Sequence, residues 1–136
     1  MAREAGRLVP RLFAADVISG ELEEATRSGG VQYGLVTRAD GLVIGHNLPD
    51  QEIAKRLAAM SAAIVGTATM ATSELERGVF RVAILEGTRG HIVCVSAGPQ
   101  AIVAGLVPSD VDVDLVVLTL RSLAQHVSDA IDQWDE

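Results

Sequence analysis

Residues 31–47, VQYGLVTRADGLVIGHN, decide the fold. Two short apolar runs, 31–37 and 42–47, meet across Asp40-Gly41, a dipeptide suited to a turn that needs positive φ, while the flanking Val, Leu and Ile suit a pleated strand. The stretch reads as a β-hairpin. Along an extended chain Val31, Tyr33 and Leu35 share one face and Gly34 and Val36 the other; in the second run Leu42 and Ile44 oppose Val43 and Gly45. Neither face is polar. The hairpin therefore needs cover above and below, and the chain carries helical patterns before and after it to supply that cover.

Upstream, Leu12, Ala15, Ile18, Leu22 and Ala25 recur at three- and four-residue steps over residues 11–26, with Glu21, Glu23 and Glu24 on the other side. This is a first amphipathic helix, weakened at Gly20 and closed by Ser28-Gly29-Gly30. Residues 1–10, charged and without period, read as a flexible lead-in, and residues 11–134 as a single domain. Downstream, Asp50 is placed to cap a long helix, with Gln51 and Glu52 near its positive end. Ile53, Leu57, Met60, Ile64, Thr67 and Ala71 fall on one stripe of that helix, and Ala58, Ala62, Val65 and Thr69 on the next. No charge occurs between Met60 and Thr72. About 25 residues span roughly 37 Å, more than one small sheet needs as cover. A small domain has no further layer for the far side, so this Ala, Thr and Met surface is expected to be an interface.

Three strand patterns follow at 79–86, 91–97 and 101–107, joined by Gly87-Thr88-Arg89-Gly90 and Gly98-Pro99-Gln100. Such short links allow only antiparallel neighbours. Pro108 stops the last strand, and beyond Asp110, Asp112 and Asp114 a final helix runs to Trp134 with Val116, Leu120, Leu123, Val127 and Ile131 on one face. The order is α-β-β-α-β-β-β-α, an α+β chain.

Composition narrows the chemistry. A chain of 136 residues is one domain of ordinary size, and 49% hydrophobic with 3% aromatic residues means a core of Ala, Val, Leu and Ile. Few aromatics disfavour a ligand-sensing pocket. A formal net charge of -7, with no basic cluster, argues against nucleic acid or an anionic membrane as partner. The start has no signal-peptide pattern and no run reaches the ~18 apolar residues of a membrane span, so the reading is cytoplasmic, without membrane insertion. Cys94, the one cysteine, lies in an apolar strand pattern and reads as a small core residue. The Asp110, Asp112 and Asp114 pattern opens like a calcium loop but continues with Leu115 and Arg121 where glycine and glutamate are needed, so it reads instead as a charged helix start. His46, His91 and His126 have no ligand spacing. The glycines of GLVTRADGLVIG open no helix and precede no Lys-Ser or Lys-Thr, which removes the phosphate-loop and dinucleotide readings. No nucleophile has a base with a recognisable partner nearby in sequence. No catalytic residue, metal or cofactor is expected.

The element order and hairpin together resemble roadblock domains, small proteins that accompany dynein motors and regulate Ras-like GTPases. The likeness rests on residues 34–43 with their DGLVI continuation, the Ala-rich helix 53–63 and the strand 98–104, within a match running from about Leu12 to Ile131. It implies a five-stranded antiparallel, profilin-like sandwich, the first and last helices on one face and the long middle helix on the other. It also implies a homodimer in which middle helices pack together and third strands pair into one ten-stranded sheet, so that Met60, Ile64, Thr67, Met70, Val82, Ala83 and Ile84 are the expected interface. Prokaryotic members of the gliding-motility type bind a Ras-like GTPase through the middle helices and are thought to reposition the GTPase's own residues. That makes Gln51, Glu52, Lys55 and Arg56 the expected partner contacts. A homodimeric adaptor that leaves nucleotide turnover alone is the second reading. The single Lys against ten Arg hints at a high-GC prokaryotic genome.

Overall fold

The hairpin forms at the Asp-Gly turn, as β1 (Tyr33–Arg38) and β2 (Val43–His46). In this computed structural model, which describes residues 18–134 and side chains through Asp132, the Gly41 N–H donates to the Arg38 carbonyl at 2.9 Å and Arg38 N–H to the Leu42 carbonyl at 2.8 Å. Gly41 has φ 93°, the positive value the turn requires. Two details differ from strict alternation. Residues 31–32 precede β1, and Val31 packs with the first and last helices while Tyr33 and Leu35 face the middle one. The register also slips between Val36 and Thr37, because Val36 faces Gly45 and Thr37 faces Val43. Ile44 is the extra residue of this bulge, and it lies with Gly45 on the side of the first helix rather than opposite it.

Helix α1, described over residues 18–28, precedes the hairpin; α2 (Gln51–Glu74), β3 (Val82–Gly87), β4 (Gly90–Ala97), β5 (Ala101–Pro108) and α3 (Val113–Trp134) follow it. The lead-in expected at 1–10, and the helical turns expected at 11–17, lie outside the described residues. The strands form one antiparallel sheet in the order β2-β1-β5-β4-β3. Successive strands β2 and β3 thus occupy opposite edges, and α2 must carry the chain across the sheet. Four gaps of about 4.8 Å make roughly 19 Å, whereas 24 helical residues measure about 36 Å. The helix overhangs what it covers.

Both faces of the sheet are apolar and both are covered. Val36, Val95 and Val103 pack with Leu22 of α1 and Leu120, Leu123 and Val127 of α3, while Leu35, Cys94 and Ile102 pack with Ala54, Leu57 and Val65 of α2. Adjacent residues in one strand therefore feed separate cores. The helices settle closely on the first face because Gly34 and Gly105 stand opposite each other in the β1–β5 ladder. A Cβ on Gly34 would lie 2.8 Å from Leu22 Cδ2, and one on Gly105 3.0 Å from Leu120 Cδ1. This pair of glycines makes a trough for two leucines.

Cys94 is fully buried, with Sγ 3.8 Å from Ser61 Oγ. Burial raises its pKa above the ordinary 9.0, a push that the hydrogen bond to Ser61 opposes only in part. The folded thiol holds its proton where an unfolded one loses it, so this group's contribution to stability is intact below 9.0 and declines as pH rises past it. Native protein at neutral pH is expected to resist thiol-specific labelling until denaturant is added. Rapid labelling of the folded chain would contradict the assigned burial.

Candidate protein-binding surface

Helix α2 buries one narrow side, Ala54, Leu57, Ala58, Ser61 and Val65, against the sheet. Its start is fixed by Asp50, whose carboxylate accepts the Glu52 N–H at 2.8 Å. Outward from the sheet Ile53, Met60 and Met70 are 47%, 54% and 60% exposed. Thr67 is exposed and Ile64 half-buried, so the expected stripe of Met60, Ile64, Thr67 and Met70 exists as one apolar strip along the uncovered flank. From Leu57 to Ser73 the helix carries no charge to solvate that strip.

Four polar residues sit at the amino-terminal end. Gln51, Glu52, Lys55 and Arg56 are all exposed, but they are not equivalent. Gln51 Oε1 lies 2.6 Å from His46 Nε2, and the Leu48 N–H donates to His46 Nδ1 at 3.1 Å, an arrangement that places the ring proton on Nε2 and ties Gln51 to β2. Lys55 Nζ is 3.8 Å from Glu52 Oε1 in an exposed pair. Arg56 has no ion pair among the described residues. At 100° per residue it projects beside Ile53 and Met60, whereas Lys55 projects away from them. Arg56 therefore borders the apolar strip and Lys55 lies off it.

The open edge of β3 adjoins the carboxyl-terminal half of this surface. Val82 packs toward the α1–α3 core, Ala83 toward the α2 core, and Ile84 is 46% exposed. The Ser96 N–H donates to the Arg81 carbonyl at 3.1 Å, which fixes the alternation of the ladder. Arg81, Ala83 and Leu85 turn their backbone groups toward β4, leaving those of Val82, Ile84 and Glu86 unpaired at the edge. Proline at Ala83 would thus break the sheet's own pairing. Ile84→Pro removes an edge donor instead, and is expected to weaken any strand-paired dimer at least tenfold by analytical ultracentrifugation while leaving the monomer folded. An unchanged dissociation constant would exclude strand pairing through β3.

Other features were not anticipated from the sequence. The strand expected from Val79 begins at Val82, because α2 ends in a turn where Arg77 N–H reaches Thr72 O at 2.7 Å and Glu76 adopts φ 57°. Leu75 and Val79, 70% and 88% exposed, extend the apolar surface past the helix end. Leu115 and Leu118 project from α3 at 61% and 62% exposure. Their three-residue spacing was the available signal. Asp112 accepts the Asp114 N–H at 3.0 Å, as expected of a charged helix start. Among the described residues no helix is long and apolar enough to cross a membrane.

Comparison with known proteins matches residues 21–106 to the Roadblock/LC7 domain family model. MJ0714 of Methanocaldococcus jannaschii, an uncharacterised protein, is 31% identical over 111 residues, 82% of this chain and 93% of that one. Among solved structures, MglB in a tetrameric arrangement superposes with TM-score 0.81 at 19% identity, covering 89% of this chain and 92% of that chain. The gliding protein MglB of Thermus thermophilus gives 0.79 at 18%, covering 88% and 92%. Profilin II of Acanthamoeba castellanii gives 0.56 at 14%, covering 75% and 88%, in keeping with a profilin-like sandwich.

Proposed function

The chain belongs to the Roadblock/LC7 domain family, and from that premise we propose that a homodimer of it binds a small Ras-like GTPase and modulates its nucleotide state. The observation that carries the reading is the α2 flank: an apolar strip with Met60 and Met70 more than half exposed, bordered at one end by Arg56, which has no ion pair among the described residues. A polar rim beside an apolar centre suits a protein interface. The strip serves self-association through Met60, Ile64, Thr67 and Met70, and the β3 edge through the outward backbone groups of Val82 and Ile84, on either side of the inward-paired Ala83. The amino-terminal rim, Gln51, Glu52, Lys55 and Arg56, serves the GTPase. Within that rim Arg56 is the contact with the larger effect, since Lys55 leans toward Glu52. The protein acts without an active site of its own, in the cytoplasm.

A GTPase encoded beside this gene, loaded with GDP or a GTP analogue, provides the test. Tighter binding to the GTP-like state is expected, because only differential affinity shifts a switch. Lys55→Glu with Arg56→Glu should abolish binding while the dimer persists. Binding without faster single-turnover hydrolysis would select the adaptor reading, and no binding in either state would remove that GTPase as partner.

A further inference from the structure

A recess lies at the other end of β4 from the β3–β4 turn. There the start of β3, the end of β4 and the start of β5 line an open cleft of about 940 Å³, bordered by α2 at Val65 and Thr69 on one side and by α3 at Arg121 and Ser128 on the other. That volume lies within the range of small-molecule sites. Its walls are mainly apolar, among them Phe80 and Ile102. Arg81 and Arg121 are the charged residues that line it, and no acid does, in a chain with 18 acidic residues against 11 basic ones.

Neither arginine has an ion pair among the described residues. The positions where a helical acid could neutralise Arg121 hold Val117, Leu118, Ala124 and Gln125. Arg81 stands across from Ser96 in the β3–β4 ladder. Two exposed arginines, neither with an ion pair among the described residues, thus line one mainly apolar recess that no carboxylate lines. We propose that this cleft binds a small amphipathic anion, a carboxylate or phosphate carried on a short apolar body. The planar fork of each arginine matches either headgroup in two-point hydrogen bonding, and the recess takes the apolar part out of water. This site is separate from the GTPase rim, and its test does not depend on that reading.

Titration of the full chain by amide chemical shifts, with octyl phosphate and decanoate as probes, inorganic phosphate as the headgroup alone and octyl glucoside as the tail alone, tests the assignment. Saturable one-to-one binding of both amphipathic anions is expected, with shifts centred on Thr69, Gly98 and Ser128. Arg81→Gln and Arg121→Gln should each weaken it tenfold or more, whereas Lys55→Gln should leave it unchanged. Thr69→Trp, at an exposed position, should fill the recess and abolish binding without altering the melting temperature. Equal affinity for phosphate alone or for octyl glucoside, indifference to both arginine substitutions, or absence of saturation at millimolar probe would overturn the proposal. So would an acidic peptide that displaces the probes at lower concentration, since the cleft would then be a protein-docking site.

Discussion

Leu120→Ala is expected to lower the unfolding free energy by about 3–4 kcal/mol, with a matching fall in denaturation midpoint at unchanged slope. Leu120 is fully buried and its methyl groups lie over Gly105 in the trough between sheet and α3. Removing them leaves a cavity that the rigid ladder beneath cannot fill. Gly105→Ala attacks the same contact from the other side, because its new Cβ would stand 3.0 Å from Leu120 Cδ1. Overpacking there is expected to cost about 1–3 kcal/mol. Combined, the two changes should be far less harmful than their sum, the added methyl occupying space the leucine has left. Additive losses would mean that Gly105 serves backbone conformation and not the close approach of Leu120.

That trough shows which parts of the fold were legible in the sequence. Adjacent residues such as Leu35 and Val36 are both apolar, and the demand for two covers follows directly from the pleat. Helix positions followed from period, and the start of α2 from one aspartate. The glycines were a different matter. Gly34 and Gly105 are 71 positions apart, and their opposition appears only once β1 pairs with β5. The bulge at Ile44 was hidden for a related reason, since an apolar run gives no polar residue to betray a register slip.

The candidate surfaces divide in the same way. A helix longer than its sheet, and without charge from Leu57 to Ser73, announced an uncovered flank, and exposure at Met60 and Met70 agrees with that expectation. Distances between side chains were not legible. The bond between His46 and Gln51, the differing directions of Lys55 and Arg56, and the shared cleft of Arg81 and Arg121 each join residues whose spacing carries no motif. Low aromatic content disfavoured a pocket, yet the cleft is built where strand ends and two helices meet, from aliphatic walls and a single phenylalanine. Its existence depends on topology more than on residue type.

Ile64→Asp is expected to raise the dimer dissociation constant more than 100-fold, about 3 kcal/mol, measured by sedimentation or light scattering across micromolar concentrations. Ile64 lies midway along the strip, half-covered by its own subunit, with Met60 one turn before it and Thr67 one turn after. In a dimer built on that strip an aspartate would be drawn into an apolar contact with no cation to meet it, since no charge occurs from Leu57 to Ser73 and a two-fold partner would present the same residues. The two carboxylates, one from each copy, would also face each other. In the isolated subunit the same side chain reaches water, so the monomer's melting temperature should change far less than the association does. Leu118→Asp supplies the comparison: it places an equal charge at an apolar position 62% exposed, on α3 across the sheet. Weakened association in the Ile64 variant alone would place the self-contact on α2. Equal losses in both would trace the effect to net charge, and loss only in the Leu118 variant would move the interface to the opposite face of the sheet.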